Sequence, residues 1–388
     1  MRDLTKAVVN PAVSTEGFNS LAVPTYRAST IVFDDAQAYA SRGQRGLDGY
    51  SYGLHGTPTG RTLEAKLTAL EGGLKTVLLP SGQAAIAVVM LTVLMPGDTV
   101  LIPDNVYPPV TNFCRYYLEP RGIRHRIYDP MAGAAVAGLM EETTKLVWVE
   151  SPGSTTMEVQ DLPAIAAVAR ERNVLVGCDN TWATPLLFKP LAHGADFSMH
   201  ALSKYAGGHS DLLMGSVTVS DLDLRRRLRD TMRMLGFGTS PDDIALALRG
   251  IETMGVRLAH VGRISMDFAQ KLASMKGVGE VLHPALEGCA GHEVWRRDFA
   301  GASGLFSIAL PECSESQVAE ALAALKTFVI GSSFGGTRSL VAPMTVKDIR
   351  TIPGSQRPGT ILRISIGLED PEDLWADLEA FFGIVTRN

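Results

Sequence analysis

From Thr76 onward, short apolar runs of strand character alternate with longer stretches of helical period. The runs are TVLLP from Thr76, DTVLIP from Asp98, GIRHRIYD from Gly122, TKLVWVES from Thr144, NVLVGCD from Asn173, DFSMHAL from Asp196 and GSVTV from Gly215. Strands separated by helices predict a mainly parallel sheet covered on both faces, with any ligand at the carboxyl ends of its strands. The apolar stretch Ala84 to Met95 ends in the turn Pro96-Gly97-Asp98 and is too short to span a bilayer, so it reads as a buried helix. A further helix begins at Ser240, an N-cap followed by Pro241, Asp242 and Asp243, and continues for many turns toward a second domain expected near residue 255. Beyond it lie strands such as GLFSIAL and TILRISIG, and a last helix from Asp370-Pro371 that keeps Leu374, Leu378 and Phe381 on one face. Residues 1 to about 60 are rich in Pro, Gly, Tyr and Ser and predict an extended arm, which needs a surface to lie against.

Composition narrows the class. A chain of 388 residues with 46% hydrophobic and 20% charged residues is an ordinary globular protein of about two domains, not a disordered or fibrous one. The formal net charge of −5 offers no electrostatic reason for nucleic acid or an anionic membrane as partner. The run RRRLRD, Arg225 to Asp230, predicts a solvated helix face. Cys114, Cys178, Cys289 and Cys313 show no CxxC spacing, which fits neither a disulfide framework nor a zinc site. MRDLTKAVVN lacks the basic and apolar segments of a secretory signal, so a cytoplasmic location is expected. The spacing of His193, His200 and His209 suggests no metal.

Three strand ends carry candidate chemistry. In VLLPSGQAAIAVVM a strand stops at Pro80 and Ser81-Gly82-Gln83 opens a helix, whose first N–H groups and dipole suit an anion; such turns are also common without one. NVLVGCD delivers Asp179 at a strand end, either as a turn residue or as a carboxylate awaiting a cation. Lys204 follows the strand DFSMHAL, where it serves either in a salt bridge or in chemistry. Pyridoxal phosphate requires this combination: a lysine for its aldehyde, an acid for its ring nitrogen and a cradle for its phosphate.

At this point the sequence resembles the Cys/Met-metabolism family of pyridoxal phosphate enzymes over nearly its whole length. The matching segments include YSYGLHGTPTGRTLE, LLPSGQAA, DNVYPP, DNTWATPLLFKPLAHGADFSMHALSKYAGGHSD, LRGIETMGVRL, SSFGG and LRISIGLED. The resemblance implies the aspartate-aminotransferase-like fold (fold type I): a mainly parallel seven-stranded α/β domain over 61–255, a smaller α+β domain over 256–388, and an arm, 1–60, laid on a neighbouring subunit. It implies that Lys204 binds the cofactor aldehyde and moves protons, and that Asp179 partners the ring nitrogen. Tyr107 would stack on the cofactor; Ser81, Gly82, Gln83 and Ser203 would hold the phosphate. Tyr52 would reach the phosphate of a neighbouring subunit, and Arg363 with Ser333 would grip the substrate carboxylate. Either Tyr107 or Tyr52 would assist proton transfer.

Within the family, DNTW, GHSDLLMG and YGLHGTPT look most like the cystathionine β-lyase branch, which implies α,β-elimination of L-cystathionine to homocysteine, pyruvate and ammonia. The alternatives are γ-elimination or γ-replacement with nearly the same residues, and, in another class, a catalytically idle binding protein. The likeness implies a homo-oligomer, a tetramer built from dimers that share active sites. Two positions depart from the pattern. Leu54 stands where an arginine is usual in the arm, so that either the next residue, His55, takes up part of its role or other donors suffice, and Arg338 stands where an acid is usual, either facing a substrate's distal carboxylate at the entrance or as a surface change.

Overall fold

The computed structural model describes residues 14–387 together with residues 2 and 5. MRDLTKAVVN, read above for a targeting signal, lies almost wholly outside the described residues. Every apolar run named above forms a strand: β1 (Lys75–Leu79), β2 (Thr99–Pro103), β3 (Arg124–Tyr128), β4 (Thr144–Glu150), β5 (Leu175–Asp179), β6 (Phe197–Ala201) and β7 (Gly215–Val219). They build one sheet in the order β1-β7-β6-β5-β4-β2-β3, in which β7 alone runs against its neighbours. Alternate residues of a strand serve opposite faces. Thus Leu146 and Trp148 of β4 enter one apolar cluster, while Val147 and Val149 enter another on the far side.

The helices that matter for the site are α1 (Pro58–Glu71), α2 (Gly82–Val93), α3 (Pro108–Phe113), α4 (Leu162–Glu171), α5 (Leu222–Leu235), α6 (Pro241–Ser274) and α7 (Pro371–Val385). The predicted cap of α6 is present: the Ser240 side chain accepts from the Asp242 N–H, and the helix then runs for 34 residues. Ile244, Leu248, Ile251, Leu258, Phe268 and Leu272 repeat at helical spacing and join one apolar cluster with Leu374, Leu378 and Phe381 of α7. A second sheet of β8 (Glu280–Leu282), β9 (Leu305–Ala309), β10 (Val329–Ile330), β11 (Leu340–Met344) and β12 (Ile361–Ser365) packs into that cluster in the order β10-β11-β12-β9-β8. No helix among the described residues is long and apolar enough to cross a membrane.

The expectation for RRRLRD is corrected. Arg225 and Arg229 of α5 are buried, because the loop before α1 folds over the helix and supplies acceptors. Arg225 pairs with Asp48; Arg229 lies 3.7 Å from Glu64 and donates to the carbonyls of Leu47 and His55. Charge pattern along a helix does not reveal a distant loop that covers it.

Candidate active site

The carboxyl ends of β1, β4, β5 and β6 converge on a cavity of about 450 Å³. Lys204 enters it from the turn after β6, its Nζ donating to Ser333 Oγ at 2.8 Å. Burial and the nearby Arg363 charge lower the Lys204 pKa, with Asp179 opposing. The glycines behind the lysine have a steric cause. Gly208 has φ +76, a conformation that side-chain-bearing residues rarely adopt, and a Cβ there would lie 2.2 Å from the Arg257 guanidinium of α6 and displace it.

Asp179 ends β5 and lines the same cavity. Its Oδ1 accepts the Thr181 N–H at 2.9 Å, and Thr181 Oγ1 in turn accepts the Ala201 N–H at 2.9 Å, which ties the ends of β5 and β6 together. Burial pushes the Asp179 pKa up, against its bonds from Thr181 and the charge of Lys204. A cation brought beside it would reverse that shift.

At the start of α2, Ser81 Oγ accepts the Ala84 N–H at 3.1 Å, so Ser81 caps the helix as well as lining the cavity. The N–H groups of Gly82 and Gln83 precede any intrahelical acceptor and are free for an anion. A Cβ on Gly82 would stand 2.8 Å from Ala201 Cβ, so glycine is what lets this helix end sit on β6. Ser203 borders the same region and donates to the Met214 carbonyl at 3.3 Å.

Arg363 projects from β12 while Leu362 and Ile364 face the core, as the alternation required. Its guanidinium donates to the Ser154 carbonyl at 3.2 Å and Ser332 Oγ at 3.3 Å. Among the described residues it makes no ion pair, which leaves its charge for an incoming carboxylate. Tyr107 flanks the cavity just before α3, its N–H donating to Glu150 Oε2 at 2.7 Å. Burial raises its phenol pKa.

Not every candidate residue arrives. Tyr52 is 47% exposed, stands 3.4 Å from Ser29 Oγ and lies outside the cavity of its own chain. Leu54 and His55 also lie elsewhere, His55 being held by Ser51 at 2.9 Å. Burial and the charges of Arg233, Arg229 and Arg61 lower the His55 pKa. Of the two readings of Arg338, its contacts favour the surface one: it donates to Glu369 at 3.1 Å and the Thr327 carbonyl at 3.2 Å, and it does not line the cavity. The acid that captures it, Glu369, is distant in sequence. Glu150, Thr181 and Ser332 are cavity residues that sequence reasoning passed over. Glu150 ends an apolar strand just as Asp179 does, and the same reasoning would have found it.

The donor set fits pyridoxal phosphate, with unpaired helix N–H groups for its phosphate, a strand-end carboxyl for its ring nitrogen and a partly desolvated lysine between them. The family model for Cys/Met metabolism PLP-dependent enzymes matches residues 4–382. A Rhizobium johnstonii protein provisionally named a cystathionine beta-lyase is 42% identical over 363 residues, 92% of this chain and 90% of that one. Cystathionine beta-lyase MetC of Escherichia coli is 39% identical over 364 residues, 92% of each chain. The solved cystathionine gamma synthase of Xanthomonas oryzae pv. oryzae has a TM-score of 0.88 and 30% identity, over 95% of each chain. A lysine, a carboxyl and an open helix end meeting at the carboxyl edge of this sheet, under a match of that extent, mean that the chain belongs to the Cys/Met metabolism family of pyridoxal-phosphate-dependent enzymes.

Proposed function

We propose that this enzyme is a carbon–sulfur lyase that cleaves L-cystathionine by α,β-elimination to homocysteine, pyruvate and ammonia. The observation that carries the choice of bond is the naming of the relatives at 42% and 39% identity as β-lyases. Bound pyridoxal phosphate supplies an electron sink that makes the substrate Cα–H acidic. The rest falls to the chain. Lys204, its ammonium destabilised by burial, would be the group that takes the Cα proton, with Ser333 orienting its amine. Asp179 balances the ring-nitrogen charge; Gly82 and Gln83 N–H, with the Ser81 and Ser203 hydroxyls, hold the phosphate. Arg363 and Ser333 would orient the substrate carboxylate, Tyr107 at the cavity wall would stack on the cofactor, and either Tyr107 or Tyr52 would assist proton transfer from the amine.

Residues 61–255 would form the cofactor domain, 256–388 the smaller domain and 1–60 an arm on a neighbouring subunit. The exposure of Tyr52 supports the arm, since a tyrosine that serves another chain's phosphate has no place in its own cavity. The working form in this reading is a cytoplasmic tetramer, built from two dimers that share active sites. The γ-cleaving alternative keeps support from the likeness to the Xanthomonas synthase. Assay of both keto acids from L-cystathionine decides between them. Pyruvate is the expected product; 2-oxobutyrate would replace this reading with γ-elimination. Neither acid, from a protein that stays colourless with added cofactor, would overturn the lyase reading in favour of an idle binding protein.

A further inference from the structure

Two carboxyl groups end adjacent strands of the large sheet. Glu150 of β4 and Asp179 of β5 are register partners, and both are buried against the cavity. Parallel neighbours in register place their side chains on the same face, with the backbones about 5 Å apart. Two carboxylates so close do not both ionise without compensating charge. That compensation is unequal.

Asp179 accepts the Thr181 N–H and faces the Lys204 charge. Glu150 accepts the Tyr107 N–H through Oε2; among the described residues neither carboxyl has a lysine, arginine or histidine nitrogen within 4.0 Å, and the ring nitrogen that the cofactor fit assigns to Asp179 would answer that carboxyl alone. Arg363 directs its guanidinium to Ser154 and Ser332 instead. A buried carboxylate without a cation is strongly disfavoured, and the neutral acid replaces it. Burial and then the Asp179 charge push the Glu150 pKa well above the usual carboxyl range, opposed by the Tyr107 N–H and Arg363.

We propose that Glu150 works as a neutral carboxylic acid, a positioning residue that holds the Tyr107 turn through one oxygen and, by staying uncharged, leaves Asp179 as the anion for the ring nitrogen and Arg363 free for substrate. An ionised Glu150 would compete with the substrate carboxylate for Arg363 and with Asp179 for the ring-nitrogen charge. The positioning half rests on the lyase reading above. The protonation half does not.

The test compares holoenzyme with E150Q by difference infrared spectroscopy at pH 7. The expected result is a protonated-carboxyl carbonyl band that E150Q lacks; a carboxylate signal in its place overturns the proposal. E150A should lose one to two orders of magnitude in kcat/KM because the Tyr107 turn loses its anchor. E150Q, which supplies a neutral acceptor of the same shape, should recover at least tenfold of that loss; Gln as poor as Ala would mean that a charge was needed. Because the infrared band is read without turnover, failure of the lyase reading and failure of the protonation state remain distinguishable.

Discussion

Replacing Arg350 with methionine removes a buried cation that joins the second sheet's connecting segment to the turn carrying Tyr107. Its Nε donates to Asp104 at 3.0 Å, one terminal nitrogen to Thr156 at 2.7 Å and the other to Glu158 at 2.9 Å. Asp104 also accepts from Thr351 N at 2.8 Å and Ser355 Oγ at 2.7 Å, and its side chain is wholly buried. R350M keeps the bulk of the side chain but strands two carboxylates, a loss of about 3–5 kcal/mol for breaking a buried pair. For a chain of this length the unfolding entropy makes that a fall in Tm of about 4–6 °C.

The pH dependence gives the sharper check. Burial raises the Asp104 pKa, yet the bonds from Ser355 and Thr351 and the Arg350 charge outweigh it, and the net shift is downward. The stabilisation linked to a depressed carboxyl is present above its unfolded pKa and lost as pH falls through the folded value. The gap between wild type and R350M, read by thermal melts, should therefore be widest near neutral pH and close in acid. A gap that is absent at pH 7, or that widens as pH falls, would refute the charge argument.

Other substitutions probe the site and its surroundings. Gly82→Ala puts a methyl group 2.8 Å from Ala201 Cβ, and the shifted helix end should weaken cofactor retention at least tenfold in equilibrium dialysis; unchanged retention would remove the helix end from the cradle. Arg363→Lys replaces a two-pronged donor with a point charge and should raise KM for the amino-acid substrate by about 10–100-fold, with a smaller effect on kcat, as measured by steady-state kinetics. Glu71 of α1 is buried against Ser198, and burial raises its pKa to about 7 despite that bond and the Lys189 charge. Its contribution is full below the ordinary carboxyl pKa and declines as pH rises to about 7. Thermal melts at pH 5 and pH 8 should thus show Glu71→Gln gaining on wild type at the higher pH.

Much of this molecule was legible in one dimension because its information is local. Apolar runs that end in Pro80, Glu150, Asp179 or Ala201 mark strands and their carboxyl edges, and Ser240-Pro241-Asp242-Asp243 marks a helix start. The parallel sheet, the long helix and the strand ends bearing Lys204, Asp179 and the Ser81 turn follow from such patterns and from sterics within a few residues. Family likeness added Arg363, Ser333 and Tyr107, which no local pattern ties to Lys204. They come from the second sheet and from the loop after β2, and meet the lysine only when both sheets pack around α6.

Tertiary structure alone decided how charges are matched. Arg225 and Arg229 look like a solvated face until residues 47–57 cover them, and Arg338 reads equally as a substrate contact or a surface residue until Glu369 pairs with it. Glu150 looks like the ordinary end of a strand, yet β5 sets Asp179 beside it and no cation answers. Hydrophobic period is written residue by residue along the chain. The state of a charge depends on what lies within a few ångströms in space, and here those neighbours come from segments far away in sequence.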